Sequence, residues 1–169
     1  PGLPSLADVK RIYPVSTIDA NTRVFGVIGD PVAQSFSPAL HNALFQRDHL
    51  NAVYLPLRVP RGSLKQALED YEQLGFEGYS VTIPHKEAAA ANAKEIDERV
   101  VQSKAANTLI RKADGFVGAN TDYRAALESL LTNLPVDEGG ITRAIETCSV
   151  MILGAGGAAR AIIHALHSA

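Results

Sequence analysis

The sequence predicts an α/β fold: a mostly parallel sheet with helices on both faces, followed by the opening βα unit of a second such domain. Three observations carry this. Short apolar runs of strand length alternate with stretches whose apolar residues recur at helical spacing. Glycine and proline fall where one period gives way to the other. The last apolar run opens into a glycine-rich turn ahead of a small-residue helix.

In chain order, Pro1 to Thr22 holds three prolines and no sustained period, and reads as a linker (residues 1–22) with one turn of helix near Ala7–Arg11. Val24–Ile28, closed by Gly29-Asp30-Pro31, has the length and punctuation of a buried strand, and Pro38–His49 reads as a helix. Val53–Leu57 is a second strand. Its Pro56 cannot donate to a ladder, which argues for an edge. Leu64, Ala67, Leu68, Tyr71 and Leu74 keep helical spacing until Gly75. Gly78–Ile83 is a third strand, and Pro84 opens an alanine-rich helix running through Asn92. Asn107–Arg111 and Phe116–Ala119 flank a Lys112-Ala113-Asp114-Gly115 turn, a hairpin signal. Residues 23–121 thus form one domain. A helix with Tyr123, Leu127, Leu130 and Leu131 at core spacing and a loop from Leu134 to Glu146 connect it onward (residues 122–147). Ser149–Leu153 is the last strand, and the second domain occupies 148–169.

Composition removes several classes of function. The 169 residues are 46% hydrophobic and 20% charged, too apolar for a disordered chain. Sixteen Lys and Arg against 18 Asp and Glu leave a net charge of −2, too little positive charge to hold a nucleic acid through counterion release. No apolar run approaches the roughly 20 residues of a membrane span. Cys148 stands alone, so an internal disulfide or multi-cysteine zinc site is excluded and a reducing, cytoplasmic compartment fits. The five histidines form no metal-binding pair with a carboxylate, so no metal site is expected.

Gly154-x-Gly156-x-x-Ala159 after an apolar strand is the first turn of a dinucleotide-binding, Rossmann-type unit. Gly154 permits the tight turn, Gly156 lets backbone amides approach a pyrophosphate, and Ala159 allows close helix–strand packing. A glycine-rich turn that serves only packing is the competing reading. The acidic or basic residue that reads the ribose lies about 20 positions beyond such a motif, and 15 residues follow Gly154. The Rossmann domain is therefore expected to be truncated.

Polar residues cluster at the other strand ends. Ser35-Phe36-Ser37-Pro38 leads into a helix, where open α/β sheets place ligands; Ser37 ahead of Pro38 is also what an ordinary helix cap looks like. Thr82 ends a strand and Lys86 falls in the next helix's first turn, where a cation opposes the macrodipole by about 0.3–1 kcal/mol. A surface lysine and a proton donor are both open there. His85 and Glu87 read as solvated surface. Asn107 begins a strand, and Asn120-Thr121-Asp122 ends one; Asp122 suits a helix's first turn, and Asn120 or Thr121 suits its cap. Together, Ser35, Ser37, Thr82, Lys86, Asn107 and Asp122 can line one cleft edge fit for a small polyhydroxylated ligand.

Ser35-x-Ser37-Pro38, Val81-Thr82-Ile83-Pro84-His85-Lys86-Glu87, Ala106-Asn107-Thr108, Asn120-Thr121-Asp122 and Gly154-Ala155-Gly156-Gly157-Ala158 resemble, in order and spacing, the motifs of the shikimate dehydrogenases. The resemblance runs from Arg23 to the end of the chain. It implies reduction of 3-dehydroshikimate to shikimate with NADPH in aromatic amino-acid biosynthesis. By position, Ser35 and Ser37 resemble the pair that holds the substrate carboxylate, and Thr82, Asn107 and Asp122 the contacts to its ring hydroxyls. Lys86, paired with Asp122, resembles the catalytic lysine; Gly154, Ala155, Gly156, Gly157 and Ala158 resemble the loop that holds the NADP pyrophosphate. Ser80 stands where the family pattern has asparagine. The stretch from Pro1 to Thr22 is similar to the join with a dehydroquinase domain in bifunctional fusions. Quinate dehydrogenases and quinate-pathway regulatory modules share these motifs. A sensor has no use for a proton relay, so Lys86 with Asp122 favours the enzyme. The isolated chain is expected to be inactive.

Overall fold

The computed structural model describes residues 5–133 and 149–167. Readings that fall on Pro1–Pro4, the Leu134–Glu146 loop, Cys148 and the side chain of Leu131 lie outside these residues.

Six strands form one sheet in the order β2-β1-β3-β5-β6-β4. The strands β1 (Arg23–Gly29), β2 (Ala52–Arg58) and β3 (Phe76–Val81) are mutually parallel, with β1 in the middle. The hairpin of β5 (Thr108–Lys112) and β6 (Gly115–Ala119) adds antiparallel to β3, and the two-residue β4 (Glu95–Ile96) adds parallel to β6. β2 lies at an edge, as Pro56 requires.

The sheet sorts its side chains by strand alternation. Ile28, Tyr79, Val81 and Leu109 join Leu64 and Leu68 of α3 (Leu64–Glu72), Ala89 of α4 (Lys86–Asn92) and Val100 of α5 (Glu98–Ser103) in the main core. Val27, Val32 and Tyr54 form a smaller cluster with Phe25 and with Phe45 of α2 (Ser37–Arg47). Fully buried Asn42 pins α2 to the edge strand. Its Nδ2 donates to the Tyr54 carbonyl at 2.9 Å, and its Oδ1 accepts the Tyr54 N–H at 2.8 Å. Two edge backbone groups are thereby satisfied without a seventh strand.

α1 (Leu6–Ile12) is longer than the single turn expected, because Ser5 caps it by accepting from the Asp8 N–H at 3.1 Å. α5 and β4 have no counterpart in the sequence reading. α6 (Asp122–Asn133) and α7 (Gly157–His167) follow, the latter seated on α5 and α6 with Ala161 and Ala165 buried. Ser149–Leu153 departs from expectation: the segment pairs with no strand of the sheet, and Met151 and Leu153 are 84% and 89% exposed. A parallel strand gains its backbone partners only from neighbours. None stands beside it among the described residues.

Candidate active site

The sheet topology brings distant residues to one end. β5 leaves that end and β6 returns to it, so that Thr108 faces Ala119 across the hairpin. Asn107, just before β5, and Asp122, just after β6, therefore meet although they stand 15 positions apart in sequence. Val81 at the end of β3 donates its N–H to the Asn107 carbonyl at 2.7 Å, which sets α4 and its first residue, Lys86, beside the hairpin.

Lys86 Nζ donates to Asp122 Oδ2 at 2.5 Å. The other oxygen, Oδ1, accepts from Asn107 Nδ2 at 2.8 Å. Asn107 is itself held on both sides: its Oδ1 accepts the Thr121 N–H at 3.0 Å and the Thr108 hydroxyl at 2.9 Å. Buried Asn120 supports the carboxylate's helix, accepting the Asp122 N–H at 3.0 Å while donating to the Ala105 carbonyl at 2.8 Å. Lys86 and Asp122 are 19% and 28% exposed, enough to reach a ligand while remaining partly shielded from water. An ammonium so oriented can give a proton to an oxygen placed beside it, and the carboxylate steadies it.

Lys86 opens into a cleft of about 440 Å³ lined by Arg61, Thr82, Ile83, Pro84 and Glu87, with Gly156, Gly157 and Ala158 closing the other wall. That volume is the size of a small-molecule site. The three glycines of the turn differ in what they do. Gly154 has φ +117°, a conformation that disfavours any side chain; Gly156 faces open space; a Cβ on Gly157 would come within 2.8 Å of the Ala105 Cβ. Gly154 and Gly156 fit a phosphate-binding turn, whereas Gly157 is needed for packing.

Ser35 and Ser37 stand at the same end of the sheet, on the loop that follows β1 and at the start of α2. Their loop is tied to that of Thr82 through the Asp30 N–H, which donates to the Ile83 carbonyl at 3.0 Å. Among the described residues neither serine bonds to the Lys86 relay. The capping reading of Ser37 fails: Phe36 occupies the cap position with no side-chain bond, and the Ser37 N–H donates to Ser35 Oγ at 3.3 Å. His85 is also not surface. It is 1% exposed with Nε2 at 2.6 Å from the Val59 carbonyl, filling the space beneath the loop that carries Arg61. Glu87 is exposed but paired, to Arg160 of α7. Arg61 escaped the sequence reading; a cation just past the end of a parallel strand was the available signal.

Residues 27–109 match the family described as the shikimate dehydrogenase substrate binding domain. This stretch of the chain belongs to that family. A bifunctional 3-dehydroquinate dehydratase/shikimate dehydrogenase of Arabidopsis thaliana is 35% identical over 97% of the chain and 28% of its own length. The shikimate dehydrogenase (NADP(+)) of Bacillus licheniformis is 38% identical over 85% of the chain and 49% of its length. Among solved structures, shikimate dehydrogenase from Aquifex aeolicus superposes with a TM-score of 0.78 at 38% identity, covering 89% of this chain and 54% of that one. The Thermus thermophilus enzyme in complex with shikimate gives 0.74 at 31% identity, covering 86% and 52%. A shikimate dehydrogenase in complex with NADP+ gives 0.73 at 38% identity, covering 88% and 49%. The chain spans about half the length of the bacterial shikimate dehydrogenases it matches. Among the described residues no helix is long and apolar enough to cross a membrane, and no group of residues could hold a metal ion.

Proposed function

We propose that this chain supplies the substrate-binding domain and the proton relay of a cytoplasmic NADP-dependent shikimate dehydrogenase, acting on 3-dehydroshikimate and shikimate. The observation that carries this is the Lys86–Asp122–Asn107 relay opening into the cleft that the glycine turn closes. Relatives named for the same activity and cofactor support it.

In this reading Ser35 and Ser37 bind the substrate carboxylate, and Thr82, Asn107 and Asp122 position the ring hydroxyls. Gly154, Ala155, Gly156, Gly157 and Ala158 hold the pyrophosphate of NADP, a role that the positive φ of Gly154 and the open space at Gly156 suit. When bound, the reduced cofactor supplies the hydride that reaches the carbonyl carbon. Lys86 Nζ gives its proton to the carbonyl oxygen as charge develops there, and Asp122 holds the amine in line. In the reverse direction the neutral amine takes the proton back from the hydroxyl. Residues 23–121 act as the substrate domain, 122–147 as the connection and 148–169 as the start of the nucleotide domain. The N-terminal 22 residues form the join to a dehydroquinase domain, as the bifunctional relative's name supports.

The test is steady-state kinetics of the Lys86→Ala variant in the full-length parent. kcat is expected to fall by about 10²–10⁴ with shikimate affinity changed far less. A rise in KM alone would remove Lys86 from the chemistry. The isolated 169-residue chain is expected to show no turnover at saturating NADPH, since among the described residues no strand pairs with the segment ahead of its glycine turn.

A further inference from the structure

Two side chains outside the proton relay meet across the cleft. Glu87 directly follows Lys86 in the first turn of α4, and Arg160 lies in the first turn of α7, 73 residues away in sequence. An N–H of the Arg160 guanidinium donates to the Glu87 carboxylate. Under this pair Gly157 sits on the lysine itself. A Cβ there would lie 3.4 Å from both Cβ and Cδ of Lys86 and 2.8 Å from the Cβ of Ala105. Elsewhere α7 is held by buried Ala161 and Ala165 and by the edge-on contact of His164 with Tyr123, all further along the helix. Glu87 and Arg160 form the charged contact at the end that carries the glycine turn.

We infer that the Glu87–Arg160 pair is a latch, a positioning pair that keeps the glycine turn seated over the stem of Lys86 and so limits how far the amine strays from Asp122. What the lysine then does rests on the proposed dehydrogenase reading; the seating does not. The half-exposed setting of the pair, with Arg160 at 35% and Glu87 at 66%, sets the scale. An ion pair of this kind shifts a local equilibrium by about two- to fivefold and leaves the fold standing.

The test is the reactivity of Lys86 in the 169-residue chain. Brief acetylation with acetic anhydride, read by peptide mass spectrometry, reports access to its amine, with exposed Lys65 as the internal reference. Glu87→Arg is expected to speed acetylation of Lys86 about two- to fivefold, leave Lys65 unchanged, and raise hydrogen exchange in α7 by a similar factor. Arg160→Glu should do the same, and the reversed pair Glu87→Arg/Arg160→Glu should restore both rates. Wild-type Lys86 reactivity in the single variants, or no recovery in the reversed pair, overturns the latch. If exchange in β1 and β3 also rises in the charge reversal, the neutral Glu87→Gln variant decides by the same criteria. None of these readouts involves NADPH, so a failed dehydrogenase assay sinks the proposed activity and leaves the latch to be judged by itself.

Discussion

Two βα turns face each other across the cleft, and they are supported in opposite ways. The turn from β3 to α4 rises from a strand with β1 on one side and β5 on the other, and its Tyr79 and Val81 are buried. The turn from residue 153 to α7 rises from a segment that pairs with no strand among the described residues and whose Val150, Met151 and Leu153 are exposed, and α7 sets buried alanines against α5 and α6. Both turns have the same local grammar: an apolar run, a tight turn, a helix. The difference shows that a helix can dock through buried small residues and a few side-chain contacts of its own, whereas a strand needs neighbours before its apolar side chains have anything to cover.

Substitutions can sharpen or break that contrast. The largest effect on stability is expected from Leu64→Ala, which empties the main core: about 2–5 kcal/mol in urea denaturation, against less than about 0.5 kcal/mol for Leu153→Ala. Equal losses would mean that the 149–153 segment is packed after all. Asn42→Ala strands an N–H and a carbonyl of Tyr54 at the sheet edge, and about 2–3 kcal/mol should be lost in the same measurement. Gly157→Ala forces a methyl against Ala105, a strain of about 1–3 kcal/mol. Its readout is local: α7 amides should lose protection while those of β1 and β3 keep theirs. If the whole sheet loosens together, the two regions are one cooperative unit.

The smallest effect concerns His41, stacked on Tyr54 at 4.3 Å. Burial holds its pKa below the ordinary 6.5, so the unfolded chain binds the proton more readily. Stability from this group is complete above about pH 6.5 and is lost as pH falls through the lower folded value. His41→Phe keeps a ring there and should flatten the acid side of the stability profile relative to wild type. Parallel profiles would show that the imidazole is not desolvated.

Much of the first region was legible because its signals are local. Pro56 forecast an edge strand, the Lys112–Gly115 turn a hairpin, and Gly75 a helix stop. β4 was not legible: both its residues are exposed, so no apolar period marks it. α5 could have been found from Asp97, whose side chain accepts the Val100 N–H at 2.8 Å, an N-cap signature. At the site, residue types announced Lys86 and Asp122, and the hairpin's return supplied their meeting. His85 and Glu87 share a polar character, and polarity says nothing about what covers a side chain: the loop of Val59 buries His85, whereas Glu87 is exposed as expected and in addition pairs with Arg160 of α7. Ser149–Leu153 failed for the converse reason: its pattern is that of a strand, and strand pairing depends on chain elsewhere.

The hairpin that unites Asn107 with Asp122 also divides the molecule into tolerant and intolerant lengths. Its tip, Ala113-Asp114, lies five ladder pairs away from the site end. Extra residues inserted at the tip leave both arms in register, so this turn is a natural point for grafting a reporter peptide. A single residue added within one arm would slide that arm by about 3.4 Å and turn its side chains to the opposite face. The Asn107–Asp122 bond, and with it the grip on Lys86, would be broken by a change that alters no residue of the site.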